Sequence, residues 1–212
     1  MPSCWTRWLS GTRRMAAETP RMSTTVLPLF PLHSVLFPGG PLSLRIFEPR
    51  YVDMVGRCMR ESSTFGVVLI RSGKEAGAVL ETADIGSSAR IVDFTTLPDG
   101  LLGITCLGER KFNLVRRWSQ DDGLNVGELE YSPPESECRV PEEHRPLQEL
   151  LRRLLGPLQE VYAGVHPRFE DAGWVGCRLA EILPLTPTAR LTLLAVSDPV
   201  ARLTQLAAWL PR

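Results

Sequence analysis

The stretch PLFPLHSVLFPGGPLSLRIFEPRYVDMVGRC, residues 28–58, contains two short apolar segments, PLFPL (28–32) and PLSLRIF (41–47), separated by the turn-rich FPGGP at 37–41. Apolar runs punctuated by proline and glycine predict strands. From Glu48 the period changes. Tyr51, Met54, Val55, Cys58 and Met59 fall at i, i+3, i+4, i+7 and i+8, the spacing of one helix face. Pro49 suits the first helical turn, where its missing N–H costs nothing, and Glu48 precedes it in a capping role at the positive helix end. Downstream, FGVVLI (65–70) is a continuous apolar run, as expected of a strand covered on both faces.

Further strands are predicted near 78–82, 88–95, 101–107, 110–118 and 125–131, with LPDG (97–100) and GER (108–110) as hairpin turns. Several short strands with turn punctuation and one inserted helix indicate an α+β fold whose sheet is a small barrel-like one, not a parallel α/β layer.

SPPESECRVPEE, residues 132–143, carries three prolines and little apolar content, and reads as a linker. Beyond it Leu147, Leu150, Leu151, Leu154, Leu155 and Leu158 form a helical stripe, which Gly156-Pro157 interrupts. A proline inside a helix costs about 3 kcal/mol, so a kink or break is expected there. Helices are predicted over 173–183 after Asp171, 187–196 after Thr186, and 199–210 after Asp198. The last two begin with proline behind a side-chain oxygen that can cap the helix. The chain thus divides into a β-rich unit (23–131), a linker (132–143) and a small helical bundle (144–212). Residues 1–22 precede the patterned sequence. They are Arg-rich, lack the apolar core of a secretory signal, and read as a disordered tail or an over-extended start, with Met15 and Met22 as alternative starts.

Length and composition limit the function classes. The 212 residues suit one domain or two small ones, and 43% hydrophobic with 23% charged residues describes a globular chain. No run approaches the ~18 apolar residues of a membrane span. Lys+Arg 24 against Asp+Glu 24 argues against a dedicated nucleic-acid binder, which relies on clustered positive charge. Five scattered cysteines without a CxxC pair, and histidines without HxxxH spacing, indicate no metal site and reduced, buried thiols in a cytoplasmic protein.

The search for catalytic groups returns none. Lys74 and Lys111 are the only lysines, and neither lies in GxxxxGK[ST], so no ATP-binding loop is present; GxSxG and HExxH are also absent. Both lysines have charged neighbours and read as solvated turn residues, unsuited to a serine–lysine dyad. Cys58 falls on the buried helix face, and Cys106 alternates with Ile104 and Leu102 in a strand, so both read as core. The candidates left for recognition are His33, the FPGGP loop (Phe37, Pro38, Gly39, Gly40, Pro41), Arg50 near Arg45, and the junction between sheet and helical bundle. Arg116-Arg117-Trp118, with Asp121 and Asp122 close behind, reads as a solvated strand end.

Residues 28–58, with FGVVL (65–69), ADIGSSARI (83–91), CLGERKFNL (106–114) and WVGCRLAEILPL…RLTLLAVSDPVARLTQL (174–206), resemble the amino-terminal, substrate-binding domain of the bacterial Lon protease family, in order over about 26–210. The resemblance implies a PUA-like pseudo-barrel with a helical subdomain behind it. It also implies the recognition part of a peptidase family without its ATPase and serine–lysine peptidase modules. On this reading the chain is no enzyme and needs no cofactor. It is expected to bind polypeptide segments or a protein partner, in a protein quality-control role, through an apolar groove or edge strand. An alternative follows from the barrel type, which RNA-modifying proteins share; fold alone does not decide function, and the neutral charge weighs against RNA.

Overall fold

The computed structural model describes residues 24–73, 75 and 79–210. The sequence expectations for residues 1–22 and for Lys74 lie outside the described residues. Six strands come first: β1 Thr25–Leu32, β2 Pro41–Ile46, β3 Phe65–Gly73, β4 Val79–Thr96, β5 Leu102–Ser119 and β6 Asn125–Tyr131. Helix α1, Pro49–Glu61, is inserted between β2 and β3. Four helices follow: α2 Arg145–Leu155, α3 Ala172–Ile182, α4 Pro187–Ala195 and α5 Pro199–Trp209.

The strands form one mixed sheet in the order β2-β5-β4-β3-β1-β6, and β5 pairs with β6 as well. The pairings therefore return to their start through β1, β3, β4, β5 and β6. Only β1 and β3 run parallel (Leu29 opposite Gly66), because α1 carries the chain back across the sheet between β2 and β3. The FGVVLI run is buried throughout, as a strand covered on both faces requires.

Three expectations are corrected. The strands expected at 78–82 and 88–95 are one strand, β4, and those at 101–107 and 110–118 are one strand, β5. GER (108–110) is not a hairpin turn. β5 runs through it, with a register shift between Ser87 and Ala89 on the opposite strand absorbing the irregularity. The LPDG turn does join β4 to β5, with Gly100 at φ +83 and its N–H donating to Leu97 O at 2.8 Å. Glu48 holds the N-cap position of α1, but its side chain does not cap the helix; the carboxylate pairs with Arg50 at 2.7 Å.

α1 buries Tyr51, Met54, Val55 and Cys58 against Phe30, Phe65 and Ile104, with the Tyr51 and Phe30 rings stacked at 4.2 Å. The helical half has its own core around Leu151, Val175, Leu179, Leu193, Leu203 and Leu206. The starts of α3, α4 and α5 follow the capping rules. Asp171 accepts from Gly173 and Trp174 N–H, Thr186 from Ala189 N–H, and Asp198 from Val200 and Ala201 N–H. α2 ends at Leu155, and Gly156–Leu158 tightens to a 3-10 turn at the expected break.

Segment 132–141 is strapped to both halves. Ser132 N–H bonds Lys111 O at 2.9 Å, Ala172 N–H bonds Cys138 O at 2.9 Å, and Val140 N–H bonds Glu170 O at 3.0 Å.

Candidate functional site

The FPGGP loop is where sheet meets bundle. Phe37 is fully buried in the helical core together with Val175 and Leu179. Its ring fills the bundle and presents nothing to a ligand. Gly39 takes φ +72, a region costly for any residue with a Cβ, and its N–H donates to Gly108 O at 2.7 Å. Gly40 is pressed against α3: a Cβ there would lie 1.9 Å from Glu181 Oε1. Pro41 opens β2 opposite Leu107. The loop is fastened from the far side by Arg178, a buried α3 guanidinium that donates to Pro38 O at 2.9 Å and grips Glu181 through two bonds of 2.8 Å.

The other sequence candidates lie apart from this loop. His33 is exposed, and its backbone N–H donates to Glu75 at 2.7 Å. Arg50 ties α1 to the β5–β6 turn: it pairs with Glu48, donates to Gly123 O at 2.7 Å, and lies over the Tyr51 ring at 4.8 Å. Only Pro38 and Gly39 of the candidates come together in one concavity.

That concavity is a cleft of about 600 Å³ at the junction of sheet and helices. β5 supplies Leu107, Glu109, Arg110 and Lys111, segment 132–137 supplies Pro133, Pro134 and Glu135, and α3 supplies Trp174 and Cys177. Val165, His166 and Arg168 close the remaining side. Trp174 is braced edge-on by Phe169, with ring centroids 5.1 Å apart. The apolar wall is thus aromatic, aliphatic and proline surface with a polar rim, the composition of a recognition cleft.

The floor is charged. Lys111, expected as a solvated turn residue, is buried at 7% exposure because β5 continues through it and Glu135 lies over it. Its ammonium is 3.4 Å from Glu135 and 3.3 Å from both Val196 O and Ser197 Oγ. Arg202, on α5, also clasps Glu135 with two hydrogen bonds and donates to Leu193 O at 3.1 Å. Burial pulls the Lys111 amine below its ordinary value; Glu135 opposes that pull and Arg202 adds to it. Burial raises the thiol pKa of Cys58 and Cys177, and that of Cys106 to about 12, so none is an activated nucleophile. Among the described residues no group of three or more His, Cys, Asp or Glu is placed to hold a metal ion.

Sequence reasoning misread Lys111 as solvated and passed over Glu135, Arg178, Glu181 and Arg202. A signal existed for two of them. Arg178 interrupts the apolar run WVGC-LA, and Arg202 shares the i, i+3, i+4, i+7 face of Pro199, Leu203 and Leu206. An arginine on an apolar helix face requires a buried partner. Glu135 is on a different segment, and periodicity does not identify it.

The α+β architecture, a mixed six-stranded sheet with several helices, is consistent with the fold of the known proteins that the chain resembles. The chain belongs to the family of the substrate-binding domain of ATP-dependent protease La (Lon), whose model matches residues 26–212. It is similar to a solved Lon N-terminal domain protein from Xanthomonas campestris: 44% identity, TM-score 0.75, covering 88% of this chain and 99% of that one. The N-terminal domain of Mycobacterium avium complex Lon protease shares the fold, with TM-score 0.60 at 16% identity, covering 87% of this chain and 97% of that chain. Lon protease of Cytophaga hutchinsonii is 30% identical over 92 residues, 42% of this chain and 11% of that protein. Lon protease 2 of Myxococcus xanthus is 29% identical over 92 residues, again 42% and 11%. The chain thus spans about a tenth of the length of these curated relatives, and the family match is to the substrate-binding domain alone. Among the described residues, no helix is long and apolar enough to cross a membrane.

Proposed function

We propose that this chain is a non-catalytic recognition module that binds polypeptide segments, unfolded or with exposed apolar surface, in a proteolytic or quality-control setting in the cytoplasm and without ATP. The sheet, residues 23–131, acts as a PUA-like pseudo-barrel; segment 132–143 straps it to the helical unit, 144–212. The observation that supports this reading is the junction cleft, whose apolar walls of Leu107, Pro133, Pro134, Val165 and Trp174 suit an extended segment. Of the FPGGP loop, Pro38 and Gly39 line the cleft; Phe37, Gly40 and Pro41 hold the loop in place for them. His33 and Arg50 would act as separate outer contacts. Membership of a family defined by substrate binding supports the same reading.

The test is suppression of aggregation of an unfolding protein by the purified chain, without ATP, at low and moderate salt. Suppression that survives salt is expected, because apolar burial is not screened as surface charge is. Failure at both salt levels overturns the reading.

A further inference from the structure

α3 serves the cleft along one face. Trp174, Cys177, Arg178 and Glu181 fall at i, i+3, i+4 and i+7, so they share that face. Its first half lines the cleft through Trp174 and Cys177. Its second half is a hydrogen-bonded clamp. Arg178 donates to Pro38 O at 2.9 Å and to both oxygens of Glu181 at 2.8 Å. Glu181 Oε2 also accepts from the Tyr162 hydroxyl at 3.0 Å, and Val165 N–H donates to Tyr162 O at 2.9 Å. A path of hydrogen bonds through Arg178, Glu181 and Tyr162 therefore links Pro38 to Val165, and both of these residues line the cleft.

The Tyr162 end of this path has little else to hold it. In 159–167 every residue except Tyr162 and Val165 is exposed. The backbone bonds there are local: Tyr162 N–H to Leu158 O, Ala163 N–H to Glu160 O, and Val165 N–H to Tyr162 O. A Cβ on Gly164 would meet nothing within 4 Å, so no neighbour wedges the wall in place. Val165 packs against the bundle core, and among the described residues the Tyr162 hydroxyl makes the one hydrogen bond from 159–167 to another element. Burial, and after it the Glu181 carboxylate, holds the phenol above its ordinary value, so it keeps its proton and donates. Resting on the polypeptide-binding reading above, we infer that Tyr162 is a positioning residue: its hydroxyl, held by Glu181, fixes the 164–166 wall of the cleft against the Pro38–Gly39 wall and so sets how tightly the cleft grips an extended segment.

The test uses the full chain, its Tyr162→Phe variant and a fluorescein-labelled 12-residue peptide of alternating leucine and serine. The variant loses only the hydroxyl and keeps the ring. Its affinity for the peptide is expected to fall about tenfold, the worth of one hydrogen bond to a charged group. The loss should lie in the dissociation rate, because the wall is no longer pre-organised. Amide exchange of the unliganded variant should be faster at 162–166, with α3 and α5 unchanged. Equal affinity of the two chains overturns this inference alone. So does a loss of affinity with exchange at 162–166 unaltered, or with exchange faster throughout the helices, which would make the role of Tyr162 merely structural. A natural chain that does not bind the peptide overturns the polypeptide reading with it.

Discussion

Arg178 donates to the carbonyl of Pro38, 140 positions earlier in the chain, while holding Glu181 one helical turn along α3. One guanidinium therefore fastens the loop before β2 to the helical bundle and neutralises the acid that the same loop buries. The cleft wall formed by Pro38 and Gly39 depends on it.

Replacing Arg178 with Met should destabilise the chain by about 3–5 kcal/mol, since it strands a buried carboxylate. Adding Glu181→Leu should recover much of that loss, because removing both charges removes the uncompensated one. Urea unfolding of the two variants measures this, with the double variant more stable than the single as the expected order.

Gly40 and Gly108 allow the close approach on either side of the same loop. A Cβ on Gly40 meets the Glu181 carboxylate at 1.9 Å, and one on Gly108 meets Phe37 O at 2.2 Å. Gly108→Ala should be the worse of the two, by at least ~1 kcal/mol, because a backbone oxygen cannot swing aside as a carboxylate can. Thermal unfolding of the two alanine variants gives the order.

Lys111 makes stability depend on pH on the alkaline side. Burial, the largest cause, lowers its folded value below the ordinary 10.5. Between the two values the unfolded chain binds more protons than the folded one, so stability from this group rises with pH through that window and levels off above 10.5. The groups facing it are Glu135, Arg202, Cys177 and Ser197. The unfolding free energy of the natural chain minus that of Lys111→Met should therefore increase as pH rises toward 10.5, in denaturant titrations across that range.

Much of the fold was legible because local chemistry dictates it. Asp171, Thr186 and Asp198 start their helices as read, and Gly156-Pro157 ends α2 as read. The junction between sheet and helices was also identified as a candidate surface. The misreadings have a common cause. Glu109, Arg110 and Lys111 resemble a solvated turn because three charged residues in a row seldom lie inside a sheet. They do so here because Glu109 pairs with Arg90 across β4, Arg110 stacks on Tyr131, and Glu135 arrives from 24 positions away to meet Lys111. Phe37 looked available in a glycine-rich loop, and the partners that bury it, Val175 and Leu179, lie more than a hundred residues further on. Tertiary pairing of charge and long-range burial leave no periodic trace.

The central claim is that the cleft between sheet and bundle receives polypeptide. Amide hydrogen exchange of the whole chain, with and without a saturating unfolded polypeptide, tests it most directly. The account predicts slowed exchange at 107–111, 132–137 and 164–168, the backbone that walls the cleft, with α1 and the β4–β5 turn unchanged. Bound polypeptide that protects the free edge of β2 or the face of α1, and leaves those three segments as they were, would contradict it.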